Sequence, residues 1–367
     1  VEIDVACWRR NIAVIRHHLP GHCGWIAVLK DDAYGHGALL AARLAAEGKA
    51  SMLAVSNLDE ALQLREAGIR NRILLLGERP PEELPLCLAR DLTCCLGDMA
   101  LLPDLAALAR QAGRQVPVHL KLNTGMNRYG IPWTAAAEAV SRIAGLDGQP
   151  LKVEGVFSHF AMSDEADKTF ARLQLQRFNE ALRFWPPGVR PLRHLCNSGG
   201  FLDLPEAHLD SVRLGILPLG VYPSAVCRHL PGIKPVMSVK ARITAVRSVQ
   251  AGESVGYGLR YTAPARREIA VLPLGYGDGY PRIRNAGHVL LQGKRVPIIG
   301  GVSMDALIVD VTDVPGTKAG DTVVLLGRDQ TEEISAHELA GLKQSVSYDI
   351  LCGWRRRLPR IHLNDTP

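Results

Sequence analysis

The segment WIAVLKDDAYGHG (residues 25–37) begins as an apolar run of strand length, closes that run on Lys30, and breaks into acidic residues and glycines. The same form returns down the chain as MLAVSN (52–57), ILLLG (73–77), LTCCL (92–96), VHLKLN (118–123), GVFSHF (155–160), RHLCNS (193–198) and SVRLGI (211–216). These eight runs are spaced by about 27 residues, which leaves room for one helix between neighbours. The intervening segments agree. LDEALQLREAGI (58–69) sets Leu58, Ala61, Leu62 and Leu64 at helical spacing before Gly68, and TFARLQLQRFNEALRFW (169–185) repeats apolar residues at steps of three and four. Eight strand-plus-helix repeats predict an α/β fold, a (β/α)8 barrel.

Beyond residue 232 the rhythm changes. SVKARITAVRSV, EIAVLPLGY, HVLLQGKRVPIIG, ALIVDVT and DTVVLLG are close-spaced β-type runs punctuated by Gly, Pro and Asp, which predicts a mostly β domain. Pro231, Gly232 and Pro235 break the periodicity at the junction. The expected division is a barrel over residues 1–232 and a β-domain over residues 233–367, with one late helix starting around Ser335.

Composition narrows the class. The 367 residues are 47% hydrophobic and 22% charged, with 43 Lys and Arg against 37 Asp and Glu, so the chain has core-forming mass and only a modest net charge of +6. That surplus is not gathered into a stripe, so nucleic acid is not an expected partner. No apolar run approaches the ~18–20 residues of a membrane span, and VEIDVACWRR lacks the order of a signal peptide, so the cytoplasm is the expected compartment. The eight cysteines include no CxxC pair, and the vicinal Cys94 and Cys95 lie in an apolar strand, where thiols act as small hydrophobes. No HExxH or paired-cysteine metal motif is present.

Barrels of this kind carry their chemistry at the C-terminal ends of the strands. That rule selects Lys30 after the first strand, Lys121 and Asn123 at the fifth, His159 at the sixth, Asn197 and Ser198 at the seventh, and Arg213 at the eighth. At such a barrel mouth a lysine ending strand one, a hydroxyl after strand seven and Gly215-Ile216 after strand eight would form a phosphate cradle beside an amine. Amine plus phosphate site points to pyridoxal 5'-phosphate.

These residues stand in longer blocks. AVLKDDAYGHG resembles the cofactor-lysine signature of alanine racemases. HLKLNTGMNRYG, EGVFSHFAMSD, HLCNSGG, VRLGI, VGYGLRY, LPLGYGDGYPR and GGVSMDALIVDVT follow in that family's order, with VEIDVACWRRNI and RRRLPR at the two ends. The resemblance implies that Lys30 holds the cofactor covalently and then serves as a base on one face of the substrate. Inversion needs a second acid on the other face, and the family's is the tyrosine of VGYG, here Tyr257. It is linked through His159 to Arg213, which faces the pyridine nitrogen.

By the same resemblance Tyr34, Ser198, Gly215, Ile216 and Tyr348 bind phosphate, and His159 and Asn197 also border the cofactor. Arg128 and the backbone of Met304 take the substrate carboxylate, with Tyr276 and Asp305 in supporting positions. Lys121 matches a lysine carbamylated in many members; unmodified, it would repel Arg128. Tyr257, Tyr276 and Met304 lie in the β-domain and Lys30 in the barrel, so the resemblance implies a head-to-tail homodimer with two shared sites. The substrate is a small amino acid, alanine first, with serine or a wider range as the alternative.

Five positions depart from the family's pattern: Asn123 for aspartate, Leu219 for tyrosine, Gly301 for a basic residue, Asp349 for glutamate and His362 for tyrosine. None is a proposed catalytic group. GESVG (252–256) satisfies the hydrolase elbow pattern, but Ser254 stands in a β-type stretch instead of between strand and helix. Two rivals remain. A pyridoxal-dependent decarboxylase shares the two-domain plan but wants an acidic partner for the pyridine nitrogen, where Arg213 stands. A non-catalytic cofactor carrier needs the Lys30 barrel but not the β-domain.

Overall fold

The computed structural model describes residues 1–365. Eight parallel strands form the first architecture: β1 (Gly24–Val28), β2 (Met52–Val55), β3 (Ile73–Leu75), β4 (Leu92–Leu96), β5 (Val116–Asn123), β6 (Leu151–Phe157), β7 (Leu192–His194) and β8 (Ser211–Leu214). They neighbour one another in order from β1 to β7, and β8 returns beside β1 with Val212 opposite Trp25 and Arg213 opposite Ile26. Between β7 and β8 two backbone bonds close the ring, Asp210 N to Arg193 O at 3.1 Å and Arg213 N to Cys196 O at 2.8 Å. Strands β1 to β4 are apolar and buried almost throughout because both faces are covered, which is why they read as runs and not as alternations, whereas β5 to β8 also carry polar residues such as Lys121, Arg193 and Arg213.

The connecting helices start where their caps dictate. Asn57 accepts from Glu60 N while the Glu60 carboxylate accepts from Asn57 N, a reciprocal cap that opens the helix Leu58–Glu66. The repeat departs from the expected one-helix rhythm after β8, where only a single turn, Leu217–Leu219, follows. The helix Val5–His18 covers that place instead, with Trp8 and Ile12 bordering the same small void as Trp25, Leu214 and Leu219. Its buried Asn11 donates to Pro218 O at 3.2 Å and Lys234 O at 2.8 Å and accepts from Lys234 N at 3.0 Å. A buried amide with all three bonds made fixes the helix in place.

The second architecture is an antiparallel sheet that includes Met237–Arg242, Ala245–Val249, Arg267–Leu272, His288–Leu291, Lys294–Ile299, Leu307–Asp310 and Thr322–Asp329. The strand Glu2–Asp4 joins it, Ile3 pairing Met237, and Ile361–Leu363 runs parallel on its other side. Three residues with one buried side chain carry too little pattern to read from sequence. The late helix is Ala336–Lys343, and Ser335 caps it by accepting from Glu338 N at 3.1 Å. A second short helix, Ser347–Gly353, folds back onto the barrel mouth: a Cβ on Gly35 would lie 2.5 Å from Leu351 O. The eight cysteines are free, seven of them buried. Ser254 lies in a two-stranded ladder paired with Thr262.

Candidate active site

Strand β1 ends one residue before Leu29, and Lys30 begins a turn in which Asp31, Asp32, Ala33 and Tyr34 all have φ of 52–54°. A left-handed helical turn costs L-residues roughly 1–2 kcal/mol each, so the fold has to hold it. It does so from several sides. Ala33 N donates to Leu29 O at 2.8 Å, the Asp32 carboxylate accepts from Ala38 N at 2.8 Å, and Glu60 accepts from Asp31 N at 2.6 Å. His36, fully buried, bonds through Nδ1 to Tyr34 O at 2.8 Å. The turn throws the Lys30 amine and the Tyr34 ring to one side, with Nζ 6.0 Å from the ring centroid.

Both line a cavity of about 510 Å³ in the barrel mouth. One end of it is bordered by Tyr34, Ser198, Gly215, Ile216 and Tyr348. The hydroxyls of Tyr34, Ser198 and Tyr348 and the N–H groups of Gly215 and Ile216 have no acceptor among the described residues. Unpaired donors converging on a void call for an anionic occupant. Gly215 is required there, because a Cβ would lie 2.2 Å from the Tyr34 hydroxyl oxygen. Burial pushes the Tyr34 and Tyr348 phenols up from their ordinary range, so both remain donors at neutral pH.

Deeper in the barrel lies Arg213, buried. Its Nη1 donates to His194 O at 2.9 Å and His194 Nδ1 at 3.0 Å; its Nη2 donates to Ser158 O at 2.7 Å, Leu195 O at 3.2 Å and His159 Nδ1 at 2.8 Å. Its Nε–H has no partner among the described residues. Burial lowers the guanidinium to about 10, still charged at neutral pH. His159 is held well below the ordinary imidazole value, first by burial and then by Arg213, so it is neutral and its Nδ1 accepts.

At the other end, Lys121 donates to Leu76 O at 3.0 Å and lies over the rings of Tyr129 and Phe157 at 5.0 and 5.3 Å. Arg128 borders the same space without a carboxylate partner among the described residues. Burial lowers the amines of both Lys30 and Lys121, with Arg128 contributing to each. Asp164 is the one carboxylate among the lining residues, against Lys30, Arg79, Lys121, Arg128 and Arg213. The cavity therefore suits a doubly anionic ligand such as a phosphate ester together with a carboxylate.

The model for "Alanine racemase, N-terminal domain" matches residues 3–223 and that for "Alanine racemase, C-terminal domain" residues 236–362. The alanine racemase of Symbiobacterium thermophilum is 40% identical over 368 residues, covering 100% of this chain and 97% of that protein. The solved alanine racemase of a D-cycloserine-producing Streptomyces lavendulae superposes with a TM-score of 0.93 at 36% identity, over 100% of this chain and 97% of that one. This chain belongs to the alanine racemase family. The family works with pyridoxal phosphate. A member from Bartonella henselae, 26% identical with a TM-score of 0.89 over 99% of this chain and 98% of its own, was solved with that cofactor covalently bound. The donors around Gly215, the amine of Lys30 and the free Nε–H of Arg213 fit its phosphate, aldehyde and ring nitrogen.

Within the family frame, the structure brings Lys30, Tyr34, Lys121, Arg128, His159, Asn197, Ser198, Arg213, Gly215, Ile216 and Tyr348 to one cavity. Asn197 borders it while its side-chain oxygen caps the following helix, accepting from Gly200 N at 2.9 Å and Ser163 Oγ at 2.7 Å. Tyr257, Tyr276, Met304 and Asp305 do not border it; they stand in the β-domain. Tyr257 is 76% exposed, Leu259 68% and Met304 58%. Tyr276 N donates to Ser303 O at 3.0 Å and Gly277 N to Met304 O at 2.7 Å, so the Tyr276 and Met304 segments are tied together.

Asn123 folds the loop that carries Arg128: its Oδ1 accepts from Gly125 N and Asn127 N, and its Nδ2 donates to Asn127 Oδ1 at 2.9 Å, a bond an aspartate could not make. Leu219 is core, Asp349 pairs with Lys343, and His362 lies in the terminal strand. Sequence reasoning passed over His119, His194, Phe157 and Arg79. A signal existed for His119 and Phe157, which stand two residues before Lys121 and His159 and so share their inward face.

Proposed function

We propose that this chain interconverts L- and D-alanine, with pyridoxal phosphate held on Lys30 and with Lys30 and Tyr257 of the partner subunit moving the α-proton on opposite faces. The observation that carries the reading is the set of unpartnered donors grouped around Gly215 within the cavity that Lys30 enters. When bound, the cofactor supplies a sink for the electron pair left at the α-carbon. Burial and Arg128 hold the Lys30 amine below its ordinary value, which raises the neutral fraction able to take a proton. Arg213, whose Nε–H has no partner among the described residues, would hold the ring nitrogen of the bound cofactor. A cation that does not release its proton near neutrality would leave that nitrogen an acceptor and so would make the bound cofactor a weaker sink.

Arg128 and the backbone of Met304 of the partner subunit receive the substrate carboxylate, with Tyr276 and Asp305 beside Met304. The Lys121 amine, more of it neutral because burial lowers its value, adds carbon dioxide with loss of a proton, and the carbamate anion so formed holds Arg128. The assembly that would bring the two sets of residues together is a head-to-tail homodimer; Tyr257, Leu259 and Met304 are each exposed in the β-domain and none lines the cavity that Lys30 enters. The cytoplasm is the proposed compartment; no helix among the described residues is long and apolar enough to cross a membrane.

Incubating purified protein with a panel of L-amino acids in heavy water tests the reading. D-alanine carrying α-deuterium, formed faster than any other product, supports it. Carbon dioxide release, or α-exchange without a D-isomer, overturns it.

A further inference from the structure

Residues 158–161, which leave the end of β6, have left the sheet ladder and depend on side chains for their backbone partners. Arg213 takes Ser158 O and His159 Nδ1 from inside the barrel. From the outer layer Gln174, on the helix Thr169–Leu182 and 0% exposed, takes the rest. Its Nε2 donates to His159 O at 2.9 Å and to Thr124 Oγ1 at 3.2 Å, and its Oε1 accepts from Ala161 N at 2.9 Å. The Thr124 hydroxyl shares a further bond of 2.8 Å with Ser158 Oγ. One amide hydrogen and the carbonyl of Gln174 are thus used on the two peptide units that flank Phe160, and the other hydrogen on the Thr124 hydroxyl that holds Ser158.

We infer that Gln174 is a positioning residue for His159: it clamps the two peptide units that follow that residue so that the imidazole meets Arg213 in one orientation. Packing alone does not explain an amide here. Ala171, Phe178 and Ala181 already bury the helix against the barrel, and an apolar side chain at 174 would fill the same space without the cost of desolvating an amide. What only the amide supplies is a simultaneous donor and acceptor, which a loop without ladder partners requires. A shift of His159 would break its bond with Arg213 and move the group presented toward Tyr257 of the partner subunit. The inference therefore rests on the two-base reading.

The test uses the cofactor-loaded enzyme with Gln174→Met, which keeps length and removes the bonds, and Gln174→Glu, which keeps the acceptor and regains a donor only when protonated. For Gln174→Met the expected result is a loss in kcat of about 10²-fold, with KM and cofactor dissociation within about threefold. The substrate deuterium isotope effect rises in one direction of racemisation and not in the other, and the His159 imidazole resonances shift. For Gln174→Glu, activity relative to the parent rises as the pH is lowered. Isotope effects that change equally in both directions, an unmoved His159 signal, or a folded variant with parental kcat overturns the assignment. If Gln174→Met does not fold, the pH profile of Gln174→Glu decides alone, a parallel profile overturning it. Tyr257→Phe is assayed alongside: parental racemisation there defeats the two-base reading itself, whatever Gln174 does.

Discussion

Arg213 Nη1 donates to His194 Nδ1 at 3.0 Å, and that one bond sets the protonation of an internal chain of imidazoles. A guanidinium has no acceptor, so His194 Nδ1 carries the lone pair and its proton sits on Nε2. His194 Nε2 lies 2.8 Å from His119 Nδ1, which accepts, leaving the His119 proton on a buried Nε2 without a partner. Gly155 makes room for that ring, since a Cβ there would meet it at 2.5 Å.

His194→Phe keeps the ring stacked on Phe157, 4.9 Å between centroids, and removes the acceptor. The expected result is a loss of about 2–4 kcal/mol in stability, because a buried guanidinium loses a partner. kcat falls by about tenfold or more as Arg213 loses its orientation. Chemical denaturation and steady-state kinetics read both. Unchanged values would show that His194 does not hold Arg213.

Gly35→Ala strains a residue at φ +78° and drives a Cβ to 2.5 Å from Leu351 O, whereas Gly68→Ala strains a residue at φ +80° with nothing within 4 Å. Urea midpoints should show Gly35→Ala worse by about 1–3 kcal/mol, the cost of overpacking, together with weaker cofactor retention. Equal losses in the two variants would mean that Leu351 does not brace the Lys30 turn.

Burial holds His36 at about 4 and His119 at about 3, both below the free imidazole. From about pH 6.5 downward the unfolded chain binds protons that the native chain refuses, so stability is complete above that value and falls as the pH drops toward 4. The slope is about 1.4 kcal/mol per pH unit for each group. His36→Gln, which retains a donor for Tyr34 O, is expected to flatten it; denaturant midpoints between pH 7.5 and 4.5 that run parallel for the two proteins would contradict this.

Much of the barrel was legible because its strands, covered on both faces, stand out as runs, and because strand ends hold the polar residues. Lys30, His159 and Arg213 could be placed on that ground alone. Two parts were not legible. Glu2–Asp4 pairs with residues more than two hundred positions away, a relation no local pattern encodes. The left-handed turn from Asp31 to Tyr34 contradicts the residues' own preferences, and the bonds made with Leu29, Ala38, Glu60 and His36 together with the close approach of Leu351 hold it. In sequence Asn123 stands only as a departure from the family's aspartate; in the structure it builds the loop that carries Arg128.

Subunit mixing tests the shared two-base site most directly. Lys30→Ala and Tyr257→Phe are each purified, shown to be inactive, then unfolded together and reassembled. A site built from Lys30 of one subunit and Tyr257 of the other is intact once in every mixed dimer, so activity should return to about a quarter of the parent level. No recovery in a mixture shown to contain mixed dimers would contradict a site shared between subunits and place both groups in one chain.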